Sequence, residues 1–79
     1  MTIAITTKSG SRYEIREREG KTFIAKGALF EAEIVKLKRP LQLGGIFEAD
    51  LRQYNMYCQP QKEISYLRTT QIVKLDVII

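Results

Sequence analysis

Apolar and polar residues alternate along most of this chain with a period of two, the period of strands buried on one face. Over residues 2–8, Ile3, Ile5 and Thr7 take one side, and Ala4 and Thr6 the other. Ser9-Gly10 follows and suits a two-residue hairpin turn, since glycine accepts positive φ. The alternation resumes with Arg12, Glu14 and Arg16 outward against Tyr13 and Ile15 inward. A second turn is predicted at Arg18-Glu19-Gly20-Lys21. It leads into a third strand over residues 22–26, which Gly27 ends. These three strands read as a meander.

Residues 28–38 admit two readings. At helical spacing Phe30, Ile34 and Leu37 share a face, with Val35 nearly opposite. As a strand, Phe30, Ala32 and Ile34 alternate before the apolar face switches to Val35 and Leu37, which requires a bulge or bend. The favoured reading is a short helical turn near residues 29–33 leading into a strand over 34–38, with helix against strand left open. Pro40 then interrupts regular pairing, and Gly44-Gly45 marks a bend.

Beyond the bend, Phe47, Ala49 and Leu51 alternate with Glu48, Asp50 and Arg52, a half-buried strand. Residues 53–62 read as a loop, 64–67 as a short strand, and Arg68-Thr69-Thr70 as a turn. The chain closes on a strand over 72–79, with Val73, Leu75, Val77 and Ile79 opposed to Lys74 and Asp76. The predicted fold is all-β, or β-rich with one short helix. It forms one domain over residues 1–79, a closed or partly open antiparallel barrel of roughly five to seven strands. Closure suits so short a chain because it removes sticky strand edges.

The two ends carry a resemblance. The run Thr6-Thr7-Lys8-Ser9-Gly10-Ser11-Arg12-Tyr13-Glu14-Ile15 looks like the opening hairpin of a group of small bacterial and phage proteins. Leu67-Arg68-Thr69-Thr70-Gln71-Ile72-Val73-Lys74-Leu75 is similar to their closing strand, although they often carry Ser-Pro where this chain has Thr70-Gln71. The two segments cover roughly a quarter of the chain, and their motifs are general hairpin chemistry. The resemblance implies a compact SH3-like barrel, often encoded on mobile elements, with no assigned activity. It supplies no functional residues.

Size and composition restrict function by exclusion. A chain of 79 residues has an expected radius of gyration of about 12 Å. That leaves room for one apolar layer and no deep substrate cavity, since pockets for drug-sized ligands run to roughly 300–1,000 Å³. A groove, an edge or an interface between copies is the expected kind of site. The chain holds no histidine, which removes the usual general base near neutral pH and the commonest transition-metal ligand. Its single cysteine, Cys58, forms no intrachain disulfide and points to a reducing compartment. The opening Met1-Thr2-Ile3-Ala4-Ile5-Thr6 lacks the basic start and long apolar run of a signal peptide. No run approaches the ~18 apolar residues of a membrane span. The reading is a cytoplasmic protein with no membrane partner.

Few residues suggest chemistry. Glu48 and Asp50, two apart on one strand, share a sheet face and form a conceivable divalent-cation or acid–base pair, although a solvated outer face is the ordinary outcome for such a pattern. Gly44-Gly45 lacks the lysine and hydroxyl of a phosphate-binding loop. The expectation is a protein that is not an enzyme, with no cofactor and no metal.

Three features suit binding. The formal net charge is +4, from 13 basic and 9 acidic residues. If the early hairpin and the 36–39 segment lie side by side, Arg12, Arg16, Lys36, Lys38 and Arg39 form a cationic stripe for phosphates of nucleic acid or a nucleotide. The run Tyr54-Asn55-Met56-Tyr57-Cys58-Gln59-Pro60 places Tyr54, Met56 and Tyr57 in a loop, either to meet a protein partner or to plug one end of the barrel. At the C-terminus, Ile78 must project away from Val77 and Ile79. Such a strand either pairs at its edge with a second copy or partner, or is covered by its own domain. The leading expectation is a small accessory or inhibitor protein, encoded by a phage or mobile element, that acts by protein–protein contact. An inhibitor of a bacterial defence system is its sharpest form. Nucleic-acid or nucleotide binding is the alternative.

Overall fold

The computed structural model describes residues 1–54, 57 and 59–78. Six antiparallel strands form in it, and among the described residues there is no helix. They are β1 (Thr2–Thr7), β2 (Arg12–Arg18), β3 (Lys21–Lys26), β4 (Phe30–Leu37), β5 (Ile46–Tyr54) and β6 (Pro60–Ile78). Each pairs with the next, and β6 returns to β1, closing the barrel. The radius of gyration is 12.2 Å, as chain length leads one to expect. The all-β barrel read from the alternation is what forms.

Turn chemistry sets the register. Glu19 and Gly20 both adopt positive φ, 54° and 76°, between the paired Arg18 and Lys21. Positive φ at both central residues belongs to the two-residue hairpin turn whose twist matches the strands. The first turn is longer than expected. The Gly10 N–H donates to Thr7 O at 2.9 Å and the Thr7 N–H to Ser11 O at 2.9 Å, with Gly10 at φ 91°. Three residues, 8–10, therefore make this turn, and a left-handed glycine closes it as in a bulged hairpin.

The core is the inward face of all six strands: Ile5, Tyr13, Ile15, Ile24, Ala32, Phe47, Ala49, Leu51 and Ile72 pack together, with Ile3, Phe30, Ile34, Leu41, Leu67 and Leu75 against them. Phe47, Ile5, Ile24, Ile72 and Thr7 are the largest of the fully buried side chains. Small Ala32 and Ala49 alternate with these, as a tapering barrel interior requires. Thr7 is the buried polar member; its Oγ1 donates to Ser11 O at 3.3 Å and lies 3.0 Å from Ser9 Oγ.

Three expectations are corrected. Residues 30–37 are strand throughout, without a helical turn near 29–33. Ile34 pairs with Leu51 and Lys36 with Asp50, so Val35 is the extra residue of a bulge. The bulge moves the apolar row from Ile34 to Leu37, and pairing on both edges outweighs a helical spacing that leaves Val35 stranded. The turn expected at Arg68-Thr69-Thr70 is also absent. β6 is a single strand of 19 residues that changes partner there, from β5 over 60–71 to β1 over 72–78. A register shift opposite Phe47 absorbs the change, and the Thr69 hydroxyl accepts the Phe47 N–H at 3.1 Å. A second bulge lies at Val73, because Thr7 pairs with Ile72 and Thr6 with Lys74. Ile72, not Val73, therefore reaches the core, and Val73 is 51% exposed.

Candidate functional site

The outer wall is where the charged residues of the alternating strands must go, and there they find one another. On β2, Glu14 bridges Arg16 and, at 4.0 Å, Arg12. Glu31 of β4 meets Arg16 at 3.6 Å and Arg18 at 3.1 Å. At the far end of β4, Lys38 lies 3.5 Å from Asp50, and Arg39 Nε donates to Glu48 at 2.6 Å. Lys36 faces Asp50 in the register and has no ion pair among the described residues. Because β3 separates β2 from β4, the five cations form two clusters instead of the expected stripe. Four of the five are matched to carboxylates.

Glu48 and Asp50 do share the outer face, each held by a cation. Among the described residues no group of three His, Cys, Asp or Glu side chains converges in the manner of a metal site. The Tyr66 hydroxyl donates to Glu48. That bond, followed by the one from Arg39, holds the Glu48 carboxyl below its ordinary range, and the same carboxylate pushes the Tyr66 phenol up.

The expected aromatic loop divides. Tyr54 belongs to the end of β5 and is half-buried on the outer wall. Its ring meets Phe23 edge-on at 5.8 Å, its hydroxyl donates to Glu33 at 2.7 Å, and it accepts from Lys21 at 3.1 Å. This last bond is the chief reason the Lys21 ammonium is held above its ordinary pKa. Tyr57 is 76% exposed and so does not plug the barrel. Met56, with Asn55, Cys58 and Ile79, lies outside the described residues.

Ile78 pairs with Thr2, one position beyond the Ile3–Val77 pair, so it turns outward as expected and is 41% exposed. Residues 73–78 bond to β1 along one edge, and no described strand covers the other.

A second open edge was not foreseen. Residues 60–69 of β6 bond to β5 alone. From Thr70 on the other edge is taken, first by the 8–10 turn, where the Thr70 hydroxyl accepts the Ser9 N–H at 3.1 Å and Gln71 O the Lys8 N–H at 2.7 Å, and then by β1. Residues 60–66, with the end of β5, form an arm standing clear of the core: even Ser65, on the inward row opposite Leu51, is exposed, whereas Leu67 packs against the core. On its outer face Ile64 and Tyr66 are 46% and 52% exposed. The loop expected over 53–62 is corrected at both ends, since residues 53–54 belong to β5 and 60–62 to β6, and the strand expected over 64–67 is one part of that longer strand.

The barrel is also open at one end. A half-open pocket of about 360 Å³ is lined by Ile3, Ile15, Thr22, Ile34, Leu37, Leu41 and Phe47, with Glu17 the charged member. It is a groove at the barrel mouth, the kind of site expected, although its volume reaches the lower end of the range for small-ligand pockets. Among the described residues no helix is long and apolar enough to cross a membrane.

Compared with known proteins, the chain matches no family model, no curated protein sequence and no solved structure. Geometry therefore carries the functional reading.

Proposed function

We propose that this protein is a non-catalytic binding module acting by protein–protein contact, with the β5–β6 arm as its partner-facing surface. The observation that carries the reading is the single-sided bonding of residues 60–69 beside exposed Ile64 and Tyr66. An extended partner segment adds a strand along this edge, its main chain supplying affinity and its side chains meeting Ile64 and Tyr66. Pro60, Lys62 and Glu63 at the start of the edge disfavour indiscriminate pairing. The role proposed is that of a small cytoplasmic accessory or inhibitor protein. The resemblance of the terminal segments to phage and bacterial proteins supports an origin on a mobile element, and blocking a host defence system is the sharpest form of that role.

An affinity pull-down from host cells, with a nuclease-treated control, tests this. Ile64→Lys and Tyr57→Ala are expected to lose the partner, and Ile78→Lys reports whether the C-terminal edge takes part in a homodimer. Unchanged capture by both arm variants would remove the basis for the assignment.

Nucleic-acid or nucleotide binding is the second reading. The observation favouring it is the +4 charge together with Lys36 and Arg68, which have no carboxylate partner within 4 Å among the described residues. It requires affinity for DNA, RNA or a nucleotide that falls steeply as salt rises.

A further inference from the structure

The inward row of β2 reads Tyr13, Ile15, Glu17. The first two are buried in the core, and the third places a carboxylate where the pattern calls for another apolar side chain. Glu17 lines the barrel mouth together with aliphatic and aromatic carbon, and it pairs in the register with Thr22, another lining residue.

Its nearest cations in sequence are committed elsewhere. Arg18 turns to the outer wall, 3.1 Å from Glu31 and 4.4 Å above the Phe23 ring. Lys21 donates to the Tyr54 hydroxyl. Among the described residues Glu17 is thus left without an ion pair or hydrogen bond, and Glu19, two residues on, is likewise without one. A surface glutamate is ordinarily indifferent to its surroundings, but this one borders an apolar hollow near the lower limit of small-ligand pockets.

We infer that the open end of the barrel binds a small organic cation: an apolar body seated against Ile3, Ile34, Leu41 and Phe47, with an ammonium or similar head at Glu17. The apolar surface supplies the affinity, and the carboxylate selects positive charge over negative. A neutral or anionic body of the same shape leaves Glu17 unpaired or repelled. The site lies apart from the β5–β6 arm and stands independently of the partner-binding reading.

The test is an NMR amide-shift titration of the intact chain with cyclohexylmethylammonium and, separately, cyclohexanecarboxylate. The cation is expected to move the amides around Ile3, Ile15, Ile34 and Leu41 and to bind about three- to fivefold tighter than the anion, as one solvent-screened ion pair allows. Glu17→Gln should erase that preference while leaving the spectrum folded. Leu37→Asn, at a half-exposed lining position, should weaken both probes. Equal affinity for the two probes, shifts centred away from the mouth, or a preference that survives Glu17→Gln would each overturn the proposal.

Discussion

The two halves of β6 share one strand but have different surroundings. Residues 72–78 are bonded to β1, and Ile72 and Leu75 belong to the core or pack against it. Residues 60–69 are bonded only to β5, and from 60 to 66 every side chain is exposed. A strand does not require burial along its whole length. Regular pairing on one side holds the arm, while the barrel interior supplies the stability. The difference separates what folds this protein from what is left over for recognition.

The sharpest way to break that division is to remove an inward side chain. Phe47→Ala deletes a ring that is 1% exposed and should cost about 3–5 kcal/mol. A domain of this length commands only about 4–12 kcal/mol in all, so urea denaturation should show at least roughly a quarter of the native stability lost. A loss below about 1 kcal/mol, that of an ordinary substitution, would show that the barrel is not held by its interior.

Thr7→Val keeps the buried shape but removes a hydroxyl bonded to Ser11 O, and should cost about 0.5–1.5 kcal/mol. A neutral result would mean that the bulged hairpin is fixed by Gly10 alone.

The outer wall enters through pH. The folded Glu48 carboxyl sits below its ordinary pKa, chiefly through Tyr66 and then Arg39. Its contribution is therefore complete above the unfolded value near 4.3 and is lost as pH falls through the lower folded value. Tyr66 and Lys21 are shifted upward. Their contributions are present below about pH 10 and fade as pH rises through the folded values. Denaturation midpoints of Glu48→Gln against the parent should differ least at acid pH, where the parent has lost its advantage. An unchanged acid limb would contradict the network.

The smallest stability effect belongs to the arm. Ile64→Lys should change stability by no more than about 0.5 kcal/mol while removing partner capture. In hydrogen exchange, alternate amides of residues 61–69 face the open edge and should exchange fast, since antiparallel strands direct successive amides to opposite sides. Uniform protection there would mean that the edge is covered.

The period-two alternation by itself pointed to a β-rich chain of barrel type, to the side each residue takes in β1, β2 and β5, and to the places where Gly20 and Gly27 end strands. Those are local properties, fixed by the pleat and by the φ each turn demands. Only the tertiary structure decided that residues 30–37 are strand rather than helix, because the bulge at Val35 is favourable only with β3 and β5 on either side. The same holds for β6. Arg68-Thr69-Thr70 looks like a turn until β5 and β1 are both present to take opposite edges of one strand. The site was legible only in fragments: Ile78 outward, and Glu48 and Asp50 on one face, while the exposure of Tyr57 was left open. The open edge at 60–69, the division of the cations and the hollow beside Glu17 depend on which strands become neighbours around a closed ring, and that is a property of the assembled sheet.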